Sequence, residues 1–168
     1  MNLFKKMITN NRTSLKSNVK SAFIGFIGGL LTIFTLIILT KYSVHTWVMA
    51  PFGASCVLAF GVWNAPLSQP RNIIGGHFVS TFVGLVCQSL FGDSPIAIAF
   101  AVGLAIGLMI LTKTTHPPAG ADPLVVIMGN VGWSFLFTPV LLGSLIVVII
   151  ALFINNLDKE RKYPTFWI

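Results

Sequence analysis

Residues 21–40 form an unbroken stretch of 20 residues without a single charge. At 1.5 Å per helical residue such a stretch covers ~30 Å, the hydrocarbon thickness of a bilayer. A helix that is apolar all round is either the core of a large protein or a membrane span. Further uncharged runs lie at 73–91, 95–112 and 135–157. Only 9% of the 168 residues are charged, against roughly 25% in soluble domains. The chain therefore reads as an all-α, polytopic transmembrane helical bundle. It has room for about five or six spans of ~20 residues and none for a sizeable soluble domain.

The net charge of +7 is concentrated at the ends. Lys5, Lys6, Arg12, Lys16 and Lys20 precede the first apolar run, and Lys159, Arg161 and Lys162 follow the last. Basic residues that abut apolar segments set topology, which argues against nucleic acid as a partner. The expected organisation is a basic cytoplasmic segment (1–20), a single transmembrane domain (21–157) and a cytoplasmic tail (158–168). Residues 1–20 lack acids and precede a run with no A-x-A-like cleavage site, so they read as the flank of an uncleaved first span. Leu3, Phe4, Met7 and Ile8 are expected to dip into the membrane face. The absence of an Arg-rich cleavable leader points to a bacterial plasma membrane. Cys56 and Cys87 fall inside apolar runs and read as small buried hydrophobes.

Two apolar segments are interrupted. One carries Ala50-Pro51-Phe52-Gly53-Ala54-Ser55, the other His116-Pro117-Pro118-Ala119-Gly120-Ala121-Asp122. Pro51, Gly53 and Ala54 align with Pro118, Gly120 and Ala121 at an offset of 67 residues. The flanking runs follow the same order, so the chain reads as two halves, about 21–91 and 95–157. Each half is a helix, a broken segment and a helix. If each broken segment crosses the membrane, the second half is inverted relative to the first. Ten of the eleven Lys and Arg then lie on the cytoplasmic side with both termini. If the segments are re-entrant loops, Arg71 and Lys113 move outside.

Broken backbone at membrane depth has to be buried in protein or line a cavity, and matched discontinuous helices mark the binding sites of transporters. Proline suits a first helical turn. The sequence thus predicts half-helices beginning after Pro51 and Pro118. The N–H groups of Gly53, Ala54, Ser55, Gly120, Ala121 and Asp122 would be offered to a small anion. The alternative is that Pro and Gly only kink two spans. Asp122 reads as a helix cap, a proton-linked group or a cation ligand. His116 is a substrate donor, a proton relay or a loop-bonding histidine. His77 and Arg71 line a cytoplasmic vestibule, or else serve packing and topology. His45 reads as interfacial. No nucleophile–base–acid set, Walker motif or metal-ligand spacing is visible, so neither an enzyme nor a cofactor or metal is expected. A six-helix bundle this small has little core in which to hide a polar path, so a homo-oligomer in the lipid bilayer is expected.

Four motifs carry a resemblance: A-P-F-G-A-S at 50–55, S-Q-P-R-N at 68–72, G-G-H at 75–77 and the His-Pro-Pro of 116–118. Together and in this order they resemble the HPP family of integral membrane proteins. Some relatives in plastids and cyanobacteria are associated with nitrite transport. The resemblance therefore implies a transporter or channel for nitrite or a similar small anion. Many bacterial relatives also carry a regulatory CBS-type domain. A non-transporting membrane scaffold, or a carrier of a cation or neutral solute using Asp122, stands as the alternative.

Overall fold

The computed structural model describes Met7, Asn10 and residues 18–167. The expected membrane-face role of Leu3, Phe4 and Ile8 lies outside the described residues. The described residues form helices joined by turns and loops, with no strand among them.

The first half contains α1 (Val19–Tyr42), α2 (Ala50–Cys56) and α3 (Pro70–Phe91). Asn18 caps α1, its Oδ1 accepting from the N–H groups of Lys20 and Ser21. Pro51 sits in the first turn of α2, where its missing N–H costs nothing. A wider turn, Val57–Gly61, extends α2. Gly92 ends α3 at φ 69°, a left-handed angle that glycine adopts freely.

The second half contains α4 (Pro95–Leu111), α5 (Asp122–Met128) and α6 (Leu142–Asn156). Ser94 Oγ caps α4 through Ala97 N–H. A tight turn over Pro117–Ala121 precedes α5. The helix proper therefore starts at Asp122-Pro123 rather than directly after Pro118. Two helical stretches result, Ala50–Gly61 and 117–128, and both of their ends are related by the offset of 67. The order of helix, interrupted segment, helix thus occurs twice.

The run 135–157 falls almost entirely within one stretch long and apolar enough to cross a membrane, Trp133–Asn156, with a wide turn at Phe137–Leu141 inside it. Pro139 disfavours helical angles at the residue before it, and Thr138 is extended (φ −131°, ψ 115°). The tail packs back on the bundle: Asp158, Arg161 and Tyr163 are buried. Arg161 Nη1 donates to the Phe60 carbonyl (2.9 Å) and Tyr163 OH to the Ser68 carbonyl (2.8 Å).

Among the described residues, three helices are long and apolar enough to cross a membrane: α1, α3 and the stretch Trp133–Asn156. Ala50–Gly61 and α4 are shorter apolar helices. Contacts sort the helix ends into two groups. Lys20 Nζ lies 2.7 Å from Asp158 Oδ1, so the start of α1 meets the tail. The tail meets the 60–69 connection, where Thr165 N–H donates to Gln69 Oε1 (2.8 Å). Arg71 Nη2 donates to the Thr112 carbonyl (3.1 Å), which brings the end of α4 to the same region. At the opposite end, Gln88 Nε2 of α3 donates to Asn130 Oδ1, just beyond α5 (2.7 Å).

Glycines set how closely helices approach the broken segments. A Cβ on Gly76 would lie 2.6 Å from His116 Cβ and 2.8 Å from the Thr114 carbonyl oxygen. A Cβ on Gly143 would collide with the Phe52 ring. Gly76 and Gly143 are also 67 residues apart, and each receives the broken segment of the other half. The stripe Ala99, Gly103 and Gly107 faces outward, whereas Ala97, Ala101 and Ala105 form the buried face of α4.

Candidate functional site: a buried polar row between two broken segments

Ser55, His77, His116 and Asp122 are fully buried, each with 0% exposure. They come from four places: α2, α3, the loop before the Pro117 turn, and the first turn of α5. His77 Nδ1 lies 2.8 Å from Asp122 Oδ2. On the other side of the ring, His77 Nε2 lies 2.8 Å from Ser55 Oγ. Ser55 Oγ lies 2.9 Å from His116 Nε2. His116 Nδ1 lies 2.8 Å from the Leu67 carbonyl oxygen and donates to it. The result is one continuous row, Asp122–His77–Ser55–His116–Leu67. The two imidazoles meet edge-on with centroids 5.1 Å apart, and the Phe52 edge packs on His77 at 5.2 Å.

Neighbouring bonds fix the row. Thr81 Oγ1 donates to Asp122 Oδ2 at 3.3 Å, and Ser80 Oγ donates to the Ala119 carbonyl at 2.6 Å. Asn72 Nδ2 donates to the Thr115 carbonyl at 2.8 Å. All three come from α3 and hold the second broken segment against it. Asp122 Oδ1 is buried without a hydrogen-bond partner, which leaves an acceptor unsatisfied where desolvation costs ~1–3 kcal/mol.

The structure brings the two ends of the sequence-level site together. A groove of about 740 Å³ runs between the segments. Its walls are Ala50, Pro51, Ala54, Val57 and Leu58 on one side and Pro117, Pro118, Ala121, Leu124 and Val125 on the other. Each residue of the first set is 67 positions from its counterpart in the second. Ser55 and Asp122 each follow a groove-lining alanine. They are a matched pair at the same offset, one on each side of the His77 ring.

Other candidates are placed differently. Gly53 and Gly120 are not groove residues, and a Cβ on either meets nothing within 4 Å. The Phe52, Ala119 and Asp122 N–H groups are bonded to the carbonyls of Met49, His116 and Ala119. Asp122 makes no side-chain cap; its carboxyl turns to His77, so capping is not its role. His77 lies inside the core, and Arg71 is tied to the end of α4.

No nucleophile–base–acid set is visible in the linear sequence, yet packing brings three such side chains together. Ser55, His77 and Asp122 stand in the hydrogen-bonding order of a Ser-His-Asp triad. Separations of 22 and 45 residues hid it from the linear pattern. Ser55 Oγ, however, has no accessible surface and is ringed by His77, His116 and the Pro51 carbonyl (3.0 Å). In this arrangement no substrate carbonyl can reach it. Sequence reasoning also missed Asn72, Ser80 and Thr81 as site-forming residues. The signal for the last two was there: they lie three and four positions after His77, on its face of an otherwise apolar helix.

An all-helical bundle with apolar spans and broken segments around a buried polar row is an integral membrane protein. Residues 14–164 match the HPP transmembrane region, and the chain belongs to the HPP transmembrane family. A transmembrane protein of Dictyostelium discoideum is 42% identical over 71% of this chain and 45% of its own length. A second from the same organism is 34% identical over 98% of this chain and 57% of its own. The chain thus spans about half the length of these curated relatives. No solved structure matches.

Proposed function

We propose that the protein is a transporter or channel for a small inorganic anion, with passage between the two broken segments. The observation that carries this reading is the groove whose ten wall residues form five pairs at a single offset. Matched broken helices facing one cavity are what transporter binding sites are built from. Nitrite as the anion follows from the family resemblance.

The reading takes the halves as inverted repeats, each crossing three times. Support comes from the end contacts: the start of α1, the 60–69 connection, the end of α4 and the tail share one end. With that end cytoplasmic, ten of eleven Lys and Arg lie inside. The groove opens on the surface of a single chain, so a homo-oligomer would complete its enclosure.

A cation or a neutral hydrogen-bond donor as substrate is favoured by one observation, the unpartnered Asp122 Oδ1. Uptake into proteoliposomes decides. Saturable nitrite uptake at mildly alkaline pH that is abolished by Ala121→Phe, which fills the groove, supports the anion reading. Sodium or ammonium uptake with no nitrite flux moves the assignment to the second.

A further inference from the structure

Each contact along the buried row needs one proton between its two heavy atoms. There are four contacts: Asp122–His77, His77–Ser55, Ser55–His116 and His116–Leu67. An ionised Asp122, two neutral imidazoles and the Ser55 hydroxyl supply only three protons. The Leu67 carbonyl supplies none, so His116 Nδ1 must carry its proton. If His77 were neutral and donated to an ionised Asp122, its bare Nε2 would face Ser55. The single serine proton would then be claimed by two imidazole lone pairs. Satisfying the row takes one proton more, held on Asp122, on His77 or on His116. These three arrangements interconvert by proton shifts along the same hydrogen bonds. In each the row is electrically neutral, which suits a site with no water contact.

Ser55 has a second setting. Its hydroxyl also lies 3.0 Å from the Pro51 carbonyl. With the hydroxyl turned there, both imidazole Nε2 atoms must be donors. The five contacts then hold five protons, and the row carries one positive charge. Resting on the anion-transport reading, we propose that the row is a proton-loading site that takes up one proton with each anion. Ser55 is its switch: pointed along the row it leaves the site neutral, and turned to Pro51 it leaves the site positive. A bound anion and a loaded row neutralise each other, which removes most of the cost of an ion at depth. The proton comes from solution and returns to it, so no oxidant or reductant is involved.

The two ends of the row differ. A carbonyl terminates it at Leu67 and can only accept. At the other end Asp122 Oδ1 is buried and unpartnered, so a proton placed there breaks no bond of the row. Elements packed around the row bring no competing charge. α3 adds the Thr81 hydroxyl, and α1 places Thr32 against Cys56, the neighbour of Ser55. α6 adds Gly143 and Ser144, whose hydroxyl is bonded to the Leu141 carbonyl. Arg71 is held at the Thr112 carbonyl, and Lys113 is exposed. Among the described residues, no Lys, Arg or Glu side chain bonds to the row.

Two readouts test this on the full chain in lipid. The first counts protons without transport: ¹⁵N NMR of the imidazoles in a His45→Gln background, with infrared bands of the Asp122 carboxyl. At neutral pH the expected total over His77, His116 and Asp122 is three protons, rising to four on acidification. A total of two, with an ionised carboxylate, would overturn the proposal. In Asp122→Asn the amide should donate to His77 Nδ1 and fix His77 as its Nε2–H form. The second readout follows internal pH during nitrite uptake at mildly alkaline external pH, against empty liposomes. One proton should enter per anion, and Ser55→Ala, which removes the switch, should abolish that acidification. Uptake without proton entry in the wild type would overturn the coupling and leave transport standing. A three-proton row with no nitrite uptake would instead overturn the transport reading on which the coupling rests.

Discussion

The two broken segments occupy matched places but carry different chemistry. Positions 55 and 122 are counterparts, yet one is a serine and the other an aspartate. Position 77 is a histidine, and its counterpart in α6 is Ser144, whose hydroxyl only bonds a local carbonyl. His116 corresponds to Met49, a buried apolar side chain. The groove keeps the repeat while the polar row departs from it. Matched broken segments thus line the groove, and side chains that depart from the match supply the row of donors and acceptors. The lesson is that matched backbone breaks and the chemistry placed on them are separable.

Perturbing the shared parts should cost most. Phe52 is fully buried, stands edge-on to His77 and is seated over Gly143. Phe52→Ala should lower stability by ~3–5 kcal/mol, read as a large drop in melting temperature in detergent with loss of uptake. Unchanged melting would break the claim that the first segment is held by this seat. Gly76→Ala places a methyl against the His116 Cβ and the Thr114 carbonyl, and backbone cannot yield cheaply. A loss of ~1–3 kcal/mol is expected, whereas Gly120→Ala, which meets open space, should be near neutral. Equal effects at the two positions would contradict the packing described.

Perturbing the unmatched chemistry should cost less and be more specific. Ser55→Ala removes the hub between two imidazoles, at ~1–3 kcal/mol, while Ser144→Ala should cost less because its only bond is local. The same buried geometry predicts that a serine-directed phosphonate probe leaves Ser55 unlabelled in the native protein. Stoichiometric labelling would show that Oγ is reachable and would revive a hydrolytic reading.

The smallest effect lies at the tail. The Lys20 ammonium beside Asp158, helped by the Glu160 N–H, holds that carboxyl below the usual carboxylate range. A depressed folded-state value stabilises the fold above the ordinary carboxylate range, and that contribution is lost as pH falls through the lowered value. Asp158→Asn should therefore narrow the gap in melting temperature between pH 7 and strongly acidic pH. An unchanged gap would show that the tail contact is idle.

Much of this was legible in the sequence. Uncharged runs marked α1, most of α3, α4 and α6, and Pro and Gly marked both broken segments. The offset of 67 was visible from Pro51-x-Gly-Ala against Pro118-x-Gly-Ala. His116 and Asp122 stood out as ionisable groups beside a break. Their linkage was not legible, because it passes through Ser55 and His77, which are distant in the chain and meet only when four elements pack. The wide turn inside the run 135–157 was not singled out, although Pro139 restricts the residue before it. The tail's burial was hidden too, since Arg161 and Tyr163 find partners about a hundred residues away.

The measurement that tests the central claim most directly joins the two segments across the groove. Ala54→Cys and Ala121→Cys, bridged by a short bifunctional thiol reagent and checked by mass spectrometry, would hold the passage shut; Cys56 and Cys87 are buried and should not compete. The account predicts saturable nitrite uptake in the unbridged double variant, its loss on bridging, and no loss when either cysteine is present alone. Undiminished uptake through a fully bridged protein would show that anions do not pass between these segments.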